Sequence, residues 1–472
     1  TRSIHSVYRH LVLIVTTRKK HPYMNISIKA GILPVALLNT VAMTAANDSI
    51  VWKRQVYNTG HVRFRQEVLA SPAMRNYLHT PSISEFSVYA TTEPAAAARI
   101  PQLGRGGKQF GMEASSFQQL GANSVVWGKA SYQNGKKYDV MWNETSDFLL
   151  LYPYVMGDAK GGDQNYESYR LDGGYSTRHG KTCYGVDLGY RTLSEYRDRD
   201  PRPNNTVADL YAQGGIGLNI WGSYSVALTA TAGKYKQTNE LAFYNELGTQ
   251  MVYHLTGIGN DFTRFSGQGK NCFYKGYSIG AEISMASKET TGWSASAGYL
   301  FTRKEKVLTD LNRLPLNRLE VNSLDGAVGY NNEDYGVRLT GNVAQRKGID
   351  NLFGDATGNI YPQIGSRKQY DGKIKKIKAE GFWNVNWTEK TDVNIEPEIA
   401  CASFKNSHHT SGNLLKSSDL TMGVTASIVH ANAKNMVCAK AKIRRRENLA
   451  ARLDIYNCQN ELLAATLQNI KE

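Results

Sequence analysis

Tyr224-Ser-Val-Ala-Leu-Thr-Ala-Thr-Ala-Gly233 alternates without a break. Tyr224, Val226, Leu228, Ala230 and Ala232 share one parity; Ser225, Ala227, Thr229, Thr231 and Gly233 share the other. Successive side chains on a strand point to opposite faces, so the stretch predicts a strand with one face for lipid and one for water. From about Gly173 to Ala441 the same alternation returns in segment after segment, joined in turn by very short and by long polar connections. A wall between hydrocarbon and water needs this arithmetic and no long apolar run.

Outward from that stretch, strands are expected over 84–92, 107–118, 123–133, 166–178, 181–194, 207–220, 223–236, 272–287, 291–303, 318–330, 335–346, 373–388, 391–405, 419–431, 435–445 and about 460–469. The links at 179–180, 221–222, 290, 331–334, 389–390 and 432–434 are tight, whereas 195–206, 238–271, 304–317, 347–372 and 406–418 are long. The expected fold is all-β: a transmembrane antiparallel up-and-down β-barrel of about 16 strands, within a range of 14–18, with short periplasmic turns and long extracellular loops. Two places strain the count. Asn134-Gly135 reads as a two-residue hairpin turn, placed beyond the membrane in a long loop or folded into the lumen. Leu449, Ala451, Leu453 and Ile455 alternate well enough to be a further strand.

The lipid parity collects Tyr184, Val186, Leu188 and Tyr190, then Tyr277, Ile279 and Ile283, then Trp293, Tyr299 and Phe301, then Trp383, Val385 and Trp387. Trp221, Trp293 and Trp387 lie beside short turns and Tyr190, Tyr235 and Phe301 at the opposite ends, the arrangement of two interfacial girdles. A soluble sandwich also alternates, but it lacks girdles and this asymmetry of connections.

The chain has 472 residues, 43 Gly and 28 Tyr, against 12 Pro and 5 Cys scattered singly, with no CxxC. Mean hydropathy is −0.44 and the mature portion holds no apolar run of 18, which argues against a helical membrane protein. The net charge is +15, but residues 1–46 carry six Lys or Arg and no acid, leaving 50 basic against 41 acidic residues, or +9. No dense basic stripe with interleaved aromatics accompanies it, so nucleic acid is not an expected partner; outer-membrane lipid and lipopolysaccharide are. Met24 to Ala46 runs Lys29, an apolar stretch to Met43, then Thr44 and Ala46 at cleavage-site spacing, which reads as a signal peptide; a transit peptide is the alternative. The expected organisation is upstream residues plus signal peptide over 1–46, a periplasmic or luminal segment over 47–82, and the barrel over 83–472.

The inward parity supplies lumen-lining candidates: Arg170, Asp172, Asp187, Arg191, Glu282, Arg338, Lys376, Lys378, Glu396 and Glu398. Cross-strand networks that stiffen the wall are one reading of these charges. The other is a path for a polar solute, with Lys376 and Lys378 facing Glu396 and Glu398 across the 389–390 hairpin as a transverse field. The run Phe148-Leu-Leu-Leu-Tyr-Pro-Tyr-Val-Met-Gly-Asp158 is too apolar for a solvated loop, so it is expected to fold inward as a plug or to pack over the mouth, with Tyr152, Tyr154, Asp158 and Asp163 as its marked residues. There is no GxSxG, HExxH or phosphate-loop spacing; no cofactor, metal site or catalytic residue is expected.

Trp142-Asn-Glu-Thr-Ser146, Leu151-Tyr-Pro-Tyr-Val-Met-Gly-Asp158, Gly161-Gly-Asp163 and Glu167-Ser-Tyr169 resemble an uncharacterised outer-membrane β-barrel family of Bacteroidota. The resemblance implies a place in the outer membrane of a Gram-negative bacterium and an association with nutrient uptake. It also implies a terminal aromatic, and the sequence departs from that in ending Leu467-Gln-Asn-Ile-Lys-Glu472. The resulting expectation is a non-enzymatic barrel that passes or binds a polar small-molecule solute. Two alternatives stand beside it: a closed barrel whose loops dock an envelope protein, and a rim hydrolase.

Overall fold

A computed structural model describes residues 9–14, 43–44 and 56–456, apart from 57–58, 79, 95–97, 99, 246–249, 268–270, 359, 389 and 432–434. The signal-peptide reading, apart from 43–44, and the expected strand at 460–469 lie outside these residues. One seventeen-stranded antiparallel sheet dominates. In chain order its strands are β1 (Arg9–Ile14), β2 (Met43–Thr44), β3 (Ile83–Pro94), β4 (Gly106–Gln119) and β5 (Ser124–Val140). After the short β6 (Met156–Asp158), which belongs to a separate small sheet, come β7 (Gly162–His179), β8 (Thr182–Tyr196), β9 (Arg202–Ile220) and β10 (Tyr224–Ala242). Following β11 (Val252–Gly257) and β12 (Asn260–Asp261), the sheet resumes with β13 (Cys272–Ser287), β14 (Gly292–Leu308), β15 (Leu314–Asn331), β16 (Tyr335–Phe353), β17 (Gln363–Thr388), β18 (Thr391–His408), β19 (Leu414–Ala431) and β20 (Asn435–Asp454).

Each long strand pairs with the long strand before it and after it. Fifteen of the expected strands are present, each within a few residues of its tight-turn end. At the two edges of the series, β3 pairs with β1 and β20 with β2; among the described residues β3 and β20 do not pair, so the sheet is not closed on itself.

The strands run well past the expected bounds at their loop ends. β17 has 26 residues, where crossing a bilayer takes about 9–11. The expected loop 347–372 is therefore mostly paired arms of β16 and β17, leaving 354–362 as the connection. Beyond the alternating belt the convex face turns polar and apolar side chains remain on the concave face under a docked loop, so the lipid-facing period fades although the ladder continues. Two irregularities resolve the same way. Asn134-Gly135 is not a turn: β5 passes straight through it, because Gly135 gives room to the Tyr166 ring, whose Cζ would lie 2.6 Å from an added Cβ. The alternation at 449–453 belongs to the end of β20, and Ile455 follows it.

The sheet curls around its own N-terminal segment. Helix α1 (Gly60–Val68) starts at Thr59, whose hydroxyl accepts from the Val62 N–H, and a 3-10 turn follows at Pro72–Tyr77. α1 packs on β16, β17 and β18, while the 3-10 turn packs on β5, β7, β8, β9 and β10, which stand far away in the sheet order. One short segment touching both groups requires a strongly curved sheet with this segment on its concave face. Phe64, Leu69, Met74, Tyr77 and Leu78 form one apolar cluster there with Phe117, Val125, Cys183, Ala227, Ala286 and Phe382 of the wall.

Candidate functional site: the concave face

Register fixes which side chains share the concave face. Partners in a ladder point the same way, so the row Ser131, Arg170, Arg191, Asp209, Tyr235 shares one face. Tyr235 is thereby removed from the expected outer girdle. It is buried on the concave side, donating to Asp147 Oδ2 at 2.9 Å.

At the tight-turn end the N-terminal segment is docked by polar contacts as well as packing. Arg63 pairs with Glu396, and Arg338 Nη1 lies 2.8 Å from Glu67 Oε2. The buried Arg65 guanidinium donates to Ser287 O and Tyr77 O, and burial lowers its pKa to about 10. His61 Nδ1 donates to Asn332 O at 2.8 Å, and burial moves this imidazole below its ordinary value. Ser71 bonds Thr229, Asn76 bonds Ser176, and Tyr77 donates to Asn219. The approach is close enough to dictate a residue type. A Cβ on Gly185 would stand 2.2 Å from the Pro72 carbonyl carbon, a distance no side chain tolerates.

At the loop end, residues 141–161 fold onto the same face. The run Asn143-Glu144-Thr145-Ser146 is buried although every member is polar. Its backbone is held by Asn205 and Asn239, both donating to Glu144 O, and by Gln164, donating to Asn143 O. Asp147 receives both terminal nitrogens of Arg191, at 3.1 and 2.5 Å. Arg346 donates to the carbonyls of Leu149, Leu150 and Tyr152, closing the C-terminal end of the one-turn helix Phe148–Leu151. β6 then pairs with β11, and Lys306 Nζ donates to Val155 O. Phe148, Leu151, Val155 and Met156 pack with Leu193, Val207, Tyr274, Leu308, Leu316 and Phe353.

Inside that docked loop lies a buried ionic group. Arg197 Nη2 sits 2.6 Å from Asp158 Oδ2 and 3.4 Å from Glu144 Oε1, with all three side chains at most 1% exposed. Burial first, and then the neighbouring Asp158 carboxylate, hold Glu144 well above the ordinary carboxylate range.

The sequence-derived lumen-lining candidates fall into three groups. Arg170, Asp172, Asp187 and Glu282 stand on the concave face, with Arg170 forked onto Asp172 at 2.7 and 3.0 Å and its side chain still 49% exposed. Arg191, Arg338 and Glu396 hold the two docked segments. The expected facing of Lys376 and Lys378 with Glu396 and Glu398 does not occur. In an antiparallel hairpin a residue twelve before the turn lies opposite one about twelve after it. Lys376 therefore opposes Ala402 and Lys378 opposes Ala400, while Glu380 opposes Glu398. Lys378 pairs with Glu380 on its own strand, and Glu398 with Lys442 and Arg444 of β20. Tyr154 and Asp158 are buried in the docked loop and Tyr152 half-buried at its edge; Asp163 is at the start of β7, 2.9 Å from Lys136 Nζ. Glu144, Asp147, Arg197 and Arg346 were not singled out from sequence. The one signal for them was the polar run 143–146 beside an apolar one.

Residues 72–469 match the model of a family of unknown function, DUF6850. The chain belongs to that family. No curated protein matches it in sequence. Among solved structures the DUF6850 chain is similar to the ferric preacinetobactin receptor of Acinetobacter baumannii (8% identity, 77% of this chain and 75% of that one, TM-score 0.36). It is also similar to the siderophore receptor PiuA of the same organism (7%, 79% and 70%, 0.38) and to the toluene transporter TodX of Pseudomonas putida (10%, 80% and 92%, 0.32).

Proposed function

We propose that this DUF6850 chain is an outer-membrane β-barrel of a Gram-negative bacterium that binds and admits a polar solute through a lumen its own chain obstructs at both ends. The observation that carries the membrane placement is the convex face. Leu188, Ile279, Leu324, Val337 and Ile377 are 55–61% exposed and belong to a belt that continues from strand to strand. Exposed apolar area on that scale is insoluble unless covered, and hydrocarbon covers it uniformly. In this reading the tight turns face the periplasm, the long arms face outward, and the ring closes between β20 and β3. Closure leaves no unpaired backbone edge in the bilayer.

The concave face supports the rest. Between the docked segment 60–78 and the docked loop 141–161 the wall is polar and carries both charge signs, Arg170, Asp172, Asp187, Glu282, Asp325 and Lys376 among them. Such a lining suits a hydrophilic solute, and the two docked segments make its passage gated. A second reading, a closed barrel that docks an envelope protein, is favoured by that same double obstruction.

Planar-bilayer recording separates the readings. The intact protein is expected to give little steady current, and deletion of both docked segments, 60–78 and 141–161, to give stepwise open-channel events. A large steady current from the intact protein contradicts the obstruction. A silent deletion variant that still shifts on heating in SDS gels favours the scaffold.

A further inference from the structure

On the convex face the loop-side border of the apolar belt carries charges, and across β14–β17 they alternate in sign. Arg303 of β14 opposes Glu320 of β15, which opposes Lys347 of β16, which opposes Asp371 of β17. Ladder partners sit about 4.5–5.5 Å apart at Cβ, so opposite signs there attract and like signs repel. One step further along, the rule fails. Lys373 of β17 opposes Lys405 of β18, which opposes Lys416 of β19, which opposes Arg452 of β20.

Four cations in register on four adjacent strands cost stability unless something anionic lies on them. Arg452 has Asp454 at 2.8 Å, but Lys373, Lys405 and Lys416 are exposed and form no ion pair among the described residues. The next convex row toward the tight turns adds Lys375, Ser403 and Ser418, a further cation and two hydroxyls. Below that the face turns apolar with Ile377, Cys401 and Leu420, then Ile399 and Met422. Hydrogen-bond donors and positive charge thus sit directly above an apolar strip, on the side where the long arms are.

We propose that this face of β17–β19 binds the glycolipid of the outer leaflet, its phosphates held by Lys373, Lys405 and Lys416 and its acyl chains lying on the strip below. The inference rests on the outer-membrane placement and orientation proposed above. Three ammonium groups and adjacent hydroxyls match a phosphorylated sugar headgroup, since charge-assisted donors bind phosphate oxygens strongly.

The test is native mass spectrometry of the full chain in detergent, offered bisphosphorylated lipid A, the same lipid without phosphates, or phosphatidylglycerol. The intact protein is expected to prefer bisphosphorylated lipid A by on the order of a hundredfold, taking the usual worth of about one kcal/mol for each cation at an anionic surface. The triple variant Lys373→Gln/Lys405→Gln/Lys416→Gln should lose that preference, whereas Arg303→Gln/Lys347→Gln in the alternating row should keep it. Equal binding by the triple variant, or equal binding of phosphatidylglycerol or of the phosphate-free lipid by the intact protein, overturns the site. A heat-dependent shift in SDS gels is run on every sample. Its retention with no lipid preference rejects only this site; its absence from the intact protein rejects the membrane reading itself.

Discussion

At the scale of single residues, chain meets chain at Gly185 and at Glu144. Gly185 allows the Pro72 backbone to lie against β8, and nothing larger fits. Gly185→Ala should cost ~1–3 kcal/mol as an overpacking change, and should appear as faster proteolysis of 60–78 with the sheet intact; unchanged proteolysis contradicts the docking. Glu144 leads to a pH dependence. Its folded-state pKa lies well above 4.5, so the docked loop keeps a proton that the unfolded loop has released. The docked loop is then most stable in acid, weakens as pH rises from about 4.5 through the folded value, and levels off above it. Glu144→Gln should abolish that decline in hydrogen-exchange protection of residues 145–158; an equal decline in the variant rejects the assignment. The sequence carried parity well at this scale, which is why Arg170, Asp172 and Asp187 fall on one face. The girdle reading of Tyr235 went against that parity: it is aromatic at a strand end like a girdle residue, but it shares the parity of Ser225 and Thr229 and stands on the concave face, donating to Asp147.

At the scale of elements, the strands were legible because lipid and water impose opposite demands on alternate positions. Their outer ends were not, since above the belt no lipid imposes an apolar outward parity and the arms' apolar residues answer instead to the docked loop. The segment 60–78 was legible only as part of a periplasmic or luminal stretch over 47–82, without its contacts. Its apolar residues make sense only against Phe117, Val125 and Phe382, and α1 is too short for its own periodicity to announce a docking face. The loop 141–161 was half legible, since its apolar run predicted burial but gave no anchor. Arg346 is that anchor, satisfying three carbonyls at once. Arg346→Ala should loosen residues 148–156 by ~1–2 kcal/mol, the scale of charged hydrogen bonds lost from a partly exposed backbone, read as local exchange without a change in β16. Unaltered exchange there would show that packing alone holds the loop.

At the scale of the whole molecule, the sequence predicted a ring and the described residues form one large, curved antiparallel sheet in which β3 and β20 do not pair with each other, β3 pairing with β1 and β20 with β2. The account stands on two faces of unlike chemistry on that sheet, apolar on the convex side and polar with docked segments on the concave side. The most direct measurement is a spin-label scan along β8 in liposomes, one cysteine at a time from 184 to 190 in a cysteine-free background, reading access to dissolved oxygen. Labels at 184, 186, 188 and 190 should be oxygen-accessible and those at 185, 187 and 189 protected. Equal access along the whole strand, or water at both parities, contradicts a wall between lipid and lumen.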